Sequence, residues 1–139
     1  RKKFPKLIIQ VISSNYVLSV SHVRKIITLS LEAKKRKNLL SKKLETDILL
    51  RFAGTTQISD AIQRIGPRKN QNFVIIGIGK RKNLNELLDE IKIDLVKKPF
   101  KNSHIYIKKY FRINQKQIQA VDSSTSLEDL LVEKAAVLV

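Results

Sequence analysis

The sequence predicts a compact α+β domain in which a small mixed or antiparallel sheet is packed by several helices. Short apolar runs rich in β-branched residues predict the strands, and apolar residues three and four apart predict the helices. The mixture of both patterns along one chain indicates an α+β domain. Because domains commonly contain about 100–150 residues, the 139 residues are interpreted as one domain, 1–139.

The N-terminal part begins with two strand patterns. Residues 4–12 and 16–20 predict strands joined by a hairpin turn at "SSN". Apolar residues at helical spacing then predict a helix over about residues 22–36, and Ser19 or Ser21 is expected to cap it. This helix ends in "KKRKN", where positive charges suit the negative end of the helix dipole.

A Gly-Thr-Thr step separates the next two helices. Apolar residues four apart predict a helix over residues 39–53, and Gly54 suits its left-handed C-terminal position because glycine tolerates positive φ. Thr55 or Thr56 is expected to cap a helix over residues 57–65, which stops at the following Gly-Pro pair. Free N–H groups at such a helix start can bind an anion, while a plain connector is the commoner role, and both interpretations stay open.

The third quarter of the chain predicts one strand and one or two helices. The apolar run at residues 72–79 predicts a buried strand. Residues 83–93 predict a helix with Asn83 as its cap. The pattern over residues 103–113 fits a strand and a helix equally well.

The C-terminal part predicts two further helices. "NQKQIQAV" predicts a short helix over residues 114–121, and Ser126 is expected to cap the last one. "SLEDLLVEKAAVLV" is acidic on one side and apolar on the other. It can close the core of the domain or dock on a partner protein, and the sequence does not choose between these roles.

Positive charge is the strongest bulk property of the chain. There are 28 Lys and Arg residues against 12 Asp and Glu, a net charge of +16, and residues 1–46 and 97–117 are especially basic. This charge favours a polyanionic partner, nucleic acid above all, over a merely solvated lysine-rich surface. No apolar run approaches the roughly 18 residues of a membrane span. The signal-like N-terminus is interrupted by Gln10 and is interpreted as part of the fold.

The residues that usually carry enzyme chemistry form no recognisable pattern. "GIGKRKN" lacks the upstream Gly and the Ser or Thr of a phosphate-binding loop, although Lys80, Arg81 and Lys82 remain candidate phosphate contacts. His22 and His104 have no metal-ligand spacing, and there is no Cys. We therefore expect no catalytic residue, metal or cofactor, and a binding module rather than an enzyme. A small enzyme with an unrecognised site is the remaining alternative.

Aromatic side chains interleave with basic ones in "YIKKYFR". Tyr106, Tyr110 and Phe111 alternate there with three Lys and Arg residues. Rings in such a setting can stack on unpaired RNA bases. Such rings are more often buried in the core, so both core packing and base stacking remain open for them.

Three segments together resemble a known family. "LSKKLETDILLRFAGTTQISDAIQRIG", "VIIGIG" and "IKKYFRI…QIQAV…LVEKAAVL" are similar in order to the PRPK-binding protein family, the small non-catalytic subunit of the KEOPS complex. The resemblance implies binding to the kinase-like ATPase of KEOPS and to the single-stranded 3′ CCA end of tRNA, in support of threonylcarbamoyladenosine formation. It implies a cytoplasmic location, and also a nuclear one in a eukaryote. A general basic RNA-binding or ribosome-associated domain is the alternative.

The resemblance also implies site residues. The family's "G-x-x-Q-I" step matches Gly54, Gln57 and Ile58, with Thr55 and Thr56 between them, so the RNA end is expected near this turn. The family often has a basic residue where this chain has Thr56. The charge is therefore expected from residues nearby, namely Arg64, Arg68 and Lys69. The match to "LVEKAAVL" implies that Leu131, Val132, Ala135 and Leu138 help to bind the kinase, and Leu127, earlier in the same predicted helix, is a further candidate for partner binding.

Overall fold

A two-stranded antiparallel sheet forms one side of the core. In the computed structural model, which describes residues 1–121 and 123–139, β1 (Ile8–Ser13) pairs with β2 (Phe73–Ile78). The register places Ile8 opposite Ile78 and Ser13 opposite Phe73. Three α-helices lie between the two strands in the chain, so the sheet is made by a long-range contact.

Helices make up most of the rest of the described chain. The α-helices are α1 (Val20–Lys35), α2 (Leu44–Ala53), α3 (Ile58–Ile65), α4 (Arg81–Ile91), α5 (Ser103–Phe111), α6 (Gln115–Ala120) and α7 (Ser126–Ala136). Two short 3-10 helices span Ser14–Tyr16 and Lys92–Asp94. Within the described ranges, no helix is long and apolar enough to cross a membrane. The predicted α+β fold is confirmed.

The two faces of the sheet contact different parts of the protein. Ile12 and Ile76 lie on the face that packs into the main core, where Ile48 of α2 is fully buried. Helix α4 covers part of the other face. A Cβ atom added to Gly77 would lie 3.2 Å from Leu84 Cδ2, so the helix approaches the strand backbone closely.

Helix α2 runs through the centre of the fold and carries a buried ion pair. Arg51 Nε donates to Asp47 Oδ2 over 2.8 Å. Asp47 Oδ1 accepts from the Leu40 N–H, and Arg51 Nη1 donates to the Ala135 carbonyl oxygen, both over 2.8 Å. The pair therefore joins the loop before α2, α2 itself and the C-terminal end of α7.

The hairpin predicted from residues 4–12 and 16–20 is wrong. β1 lies in the first segment, but the supposed turn is a 3-10 helix and the second segment leads into α1. Val17 is fully buried there, and the Ser14 N–H donates to the Asn72 carbonyl oxygen over 3.1 Å. The side chains of the second segment pack into the protein, but its backbone does not pair with β1. β1 pairs with β2 instead.

The other predicted elements are present, some with shifted ends. Residues 103–111 of the ambiguous segment form α5, and α1, α3, α6 and α7 lie close to their predicted positions. Helix α2 starts at Leu44 rather than near 39, because residues 39–43 form a loop whose Leu40 N–H is bound by a side chain. β2 is a strand as predicted but is not buried on both faces. A sheet of two strands leaves one edge of each without a neighbouring strand.

The helix caps are partly confirmed. Ser19 caps α1 through its side-chain oxygen, as one of the two predicted alternatives. Asn83 does not cap α4, because the helix already begins at Arg81. Ser126 is the first residue of α7 rather than its cap, and its hydroxyl donates to the Val121 and Ser123 carbonyl oxygens.

Candidate functional site

The turn between α2 and α3 requires a glycine at position 54, both for its backbone conformation and for the space around it. Gly54 has a φ of 67°, and its N–H donates to the Leu50 carbonyl oxygen at the end of α2, as predicted. A Cβ atom at this position would also lie 2.7 Å from Phe111 Cε1. The turn therefore packs tightly against the C-terminal end of α5.

The first turn of α3 presents backbone N–H groups beside this glycine. Gln57 immediately precedes the helix, and its own N–H donates to Thr55 Oγ1 over 3.1 Å. The threonine cap predicted for α3 is therefore wrong, because Thr55 stabilises the turn and not the helix. In the part of the chain that the structure describes, the N–H groups of residues 58–60 make no hydrogen bond. Thr56 and Gln57 are exposed, but Asp60 in the first turn opposes a phosphate there.

Two of the three candidate aromatic rings, those of Tyr110 and Phe111, pack against the turn. Tyr110 Oη donates to the Ala53 carbonyl oxygen over 2.8 Å, and its ring meets that of Phe111 edge-on at 4.7 Å. The Arg64 guanidinium lies 5.8 Å from the centre of the Tyr110 ring. Tyr106 is more exposed and contacts the Tyr16 ring edge-on at 6.5 Å. Tyr106 is thus the ring of this set that remains accessible to a base.

The outer face of α3 carries an apolar surface beside the turn. Ile58 and Ile62 lie one helical turn apart and are 45% and 57% exposed, while Ala61 and Ile65 are fully buried. The spacing of apolar residues in the sequence did not reveal which of them face solvent. Ile62 was therefore missed as a candidate site residue. Ile58 and Ile62 together form an apolar face, named here the α3 face, while Arg64 lies on the opposite flank of the helix, over the Tyr110 ring.

The predicted basic residues fall into two groups that the structure separates. Arg68 and Lys69 follow α3 directly, and Arg68 Nη2 donates to the Gln63 carbonyl oxygen over 3.0 Å. Lys80, Arg81 and Lys82 lie beyond the opposite end of β2. At about 3.3 Å per residue, the length of this strand separates the two groups by roughly 20 Å. Lys80 and Lys82 line a depression together with Lys6 and Asn83.

The last helix is fixed to the domain by a buried carboxylate. Glu128 accepts from Lys25 Nζ over 2.6 Å, from Ser19 Oγ over 2.8 Å and from Ser21 Oγ over 3.0 Å. Burial would raise the pKa of Glu128, but the hydrogen bonds from Lys25 and the two serines lower it below the usual value. The same bond raises the pKa of Lys25. Glu128 is therefore charged at neutral pH and joins α7 to the start of α1.

His22 lies close to this carboxylate but has a packing role. Its Nδ1 accepts from the Leu18 N–H over 3.1 Å, and its ring meets that of Phe52 edge-on at 5.0 Å. Burial lowers the pKa of His22 to about 4, so it is neutral at pH 7. No hydroxyl group bonds to this ring within residues 1–121 and 123–139. Over the same residues, no group of three potential metal ligands is present.

The candidate kinase-binding residues of α7 divide into buried and accessible ones. Leu131 and Ala135 are buried in the core, so they hold the helix in place and present no surface to a partner. Leu127, Val132 and Leu138 are half-buried. Val137 and Val139, which the sequence pattern does not single out, are the most exposed apolar residues of this end. The helix thus both closes the core and leaves an apolar C-terminal surface.

These features describe a small α+β protein with an exposed polar turn before α3, basic residues after that helix, and an exposed apolar C-terminal end. Residues 2–138 match the family model described as kinase binding protein CGI-121, and the chain belongs to this family of kinase-binding proteins. The resemblance to the PRPK-binding proteins is thereby confirmed. No curated protein matches the chain.

Proposed function

We propose that this protein is the non-catalytic KEOPS subunit that binds both the complex's small kinase and the 3′ CCA end of tRNA, and so supports threonylcarbamoyladenosine modification. The observation that carries the proposal is the match of nearly the whole chain to a kinase-binding family. The net charge of +16 supports a nucleic-acid partner. The protein acts by positioning, in the cytoplasm and, in a eukaryote, also in the nucleus, without a catalytic residue or cofactor of its own.

The RNA end is proposed to lie on the α2–α3 turn and the α3 face. Exposed Thr56 and Gln57 offer polar groups to base edges, and Ile58 offers an apolar surface on which a base can lie. Because Asp60 makes the start of α3 a poor place for a phosphate, the backbone phosphates are assigned to the basic side chains, Arg64 and its neighbours Arg68 and Lys69.

The kinase is proposed to dock on the accessible side of α7. Val132 and Leu138 provide apolar contact area, and Leu131 and Ala135 keep the helix seated on the core. The hydrogen bonds of Glu128 fix the N-terminal end of the helix, and Arg51 holds its C-terminal end. Both ends of α7 are therefore preorganised, which reduces the entropic cost of binding.

The test is a gel shift that compares intact tRNA with tRNA trimmed of its last three nucleotides, at two salt concentrations. Intact tRNA should bind tightly and trimmed tRNA weakly at both concentrations. The variant Ile58→Glu should weaken binding of intact tRNA about tenfold, through charge repulsion and loss of the apolar surface. Leu88→Glu is the matched control, since Leu88 on α4 is similarly exposed, at 50%, and adds the same charge elsewhere. Equal effects of the two variants, or equal binding of both tRNAs, would contradict the proposed site.

A second candidate function is general binding of RNA by charge. It is favoured by the basic cluster of Lys6, Lys80 and Lys82, which lies away from the turn. In that case trimming has no effect, salt governs the affinity, and replacing these lysines by alanine lowers binding more than Ile58→Glu does.

A further inference from the structure

The outer edge of β2 differs from that of β1, and the difference is visible in the hydrogen bonds. In an antiparallel pair, alternate residues point their N–H and C=O groups to opposite edges. On β1 the Ile9 carbonyl oxygen accepts from Arg1 Nε over 3.2 Å, and the Val11 N–H donates to Gln10 Oε1 over 2.9 Å. These outward-facing groups of β1 are therefore occupied by side chains of the protein itself.

The register then shows which groups face outward on β2. Since the even-numbered residues of β1 face β2, their partners Val74, Ile76 and Ile78 complete the ladder. Phe73, Ile75 and Gly77 consequently point their N–H and C=O groups to the outer edge. Within residues 1–121 and 123–139, no hydrogen bond occupies these groups. An uncovered strand edge of this kind is a template for a further strand.

An apolar groove runs along part of this edge. It has a volume of about 520 Å³ and lies between β2 and the segment that follows α4. Phe73, Leu95 and Val96 line it and are 53%, 58% and 48% exposed. Side chains of an added strand that point to this side therefore find apolar surface, while its backbone finds the open edge.

The segment that follows α4 and forms one side of the groove is rich in lysine. Lys92, Lys97, Lys98 and Lys101 are exposed next to its lining residues in the chain and are named here the flanking lysines, and Asp94 is the charged residue that lines the groove itself. These charges favour an acidic occupant. A second copy of this chain is disfavoured, because each copy has a net charge of +16.

From these observations we propose that the outer edge of β2 is a docking site for an extended, acidic segment of a partner protein, which adds to the sheet as a third strand. Its apolar side chains lie in the groove against Phe73, Leu95 and Val96, and its carboxylates pair with the flanking lysines. The site is separate from the α3 face and from α7, and it stands without the proposed function.

The test uses a labelled synthetic peptide of about eight residues, with alternating glutamate and valine, measured by fluorescence anisotropy. A peptide with lysine in place of glutamate is the control and should not bind. Amide hydrogen exchange, followed by NMR, should show faster exchange at Phe73, Ile75 and Gly77 than at the ladder residues in the free protein. The acidic peptide should slow these amides by tenfold or more.

Matched variants separate the contributions to binding. Ile75→Pro removes an outward N–H without touching the ladder and should abolish peptide binding, whereas Ile75→Ala keeps the N–H and should retain binding. Lys97→Glu with Lys98→Glu should weaken binding on the order of tenfold. The same change at Lys34 and Lys35, on α1 and away from the groove, should have little effect. Thermal melts confirm that each variant is folded.

Three results would overturn the proposal. The first is absence of binding by the acidic peptide, and the second is binding that leaves the exchange of Ile75 and Gly77 unchanged. The third is protection of these amides by the protein alone as its concentration rises, which would identify the edge as an interface between copies of this chain. A peptide that binds and protects them supports the proposed strand addition.

Discussion

Replacing Arg51 by Met tests the buried ion pair at the centre of the fold. Arg51 is 6% exposed and Asp47 is completely buried, so the substitution leaves a carboxylate in the core without its cation. It also removes the donor to the Ala135 carbonyl oxygen. Breaking one side of a buried pair costs about 3–5 kcal/mol. This is a large part of the roughly 5–15 kcal/mol that stabilises a domain.

The double variant Asp47→Leu with Arg51→Met should recover much of that loss. An apolar pair of similar volume often replaces a buried ion pair at little cost. The Leu40 N–H still loses its acceptor, so the double variant should remain about 1–2 kcal/mol below the parent. The exposed pair between Lys3 and Glu90 provides the control, since Lys3→Met should change stability by less than about 0.5 kcal/mol.

Urea unfolding followed by circular dichroism measures all four proteins, with the free energy of unfolding obtained by linear extrapolation. The midpoints should rank Arg51→Met lowest, the double variant in between, and Lys3→Met next to the parent. An Arg51→Met protein within 1 kcal/mol of the parent would refute the reasoning, as would a double variant less stable than the single one.

Three further predictions follow from the packing. Gly54→Ala should lower the free energy of unfolding by about 2 kcal/mol, because it adds left-handed strain and meets Phe111, and Phe111→Leu in the same chain should recover part of the loss in urea titrations. Because the pKa of buried His22 is lowered to about 4, the unfolded chain binds more protons between pH 6.5 and 4. The free energy of unfolding should therefore decrease by about 3 kcal/mol as the pH is lowered from 6.5 to 4. His22→Gln should reduce this pH dependence of stability in thermal melts at stepped pH. Val132→Glu should weaken kinase binding in pull-down titrations without lowering stability, while Leu131→Ala should cost about 2–5 kcal/mol in stability.

The features that the sequence predicts correctly are those set by neighbouring residues. Ser19 caps α1 and Gly54 ends α2 because each acts on backbone groups within a few positions. The partner of β1 was missed, because the apolar residues after Ser14 satisfy a hairpin pattern as well as a packing pattern. The choice between them depends on β2, which is far away in the chain.

The same limit applies to the candidate site. Helical spacing groups Ile62 with buried Ala61, but the exposure of Ile62 depends on the absence of a packed neighbour at its side in the described structure. Lys80 and Arg68 are both basic residues in loops near β2, and only the direction of the strand separates them. The resemblance to a family indicates that the turn is a candidate site. Which of its side chains face outward depends on tertiary contacts.

The ion pair of α2 also has a consequence for how the two proposed partners influence each other. Arg51, which holds the end of α7, lies on α2, and Gly54, which directly follows this helix, is three residues further on, a rise of about 4.5 Å. If the kinase and tRNA bind as proposed, a displacement of α7 by the kinase should therefore shift the turn proposed to bind tRNA, because less than one helical turn separates the two contacts. Since such coupling is reciprocal, tRNA should raise the affinity for the kinase by the same factor by which the kinase raises the affinity for tRNA.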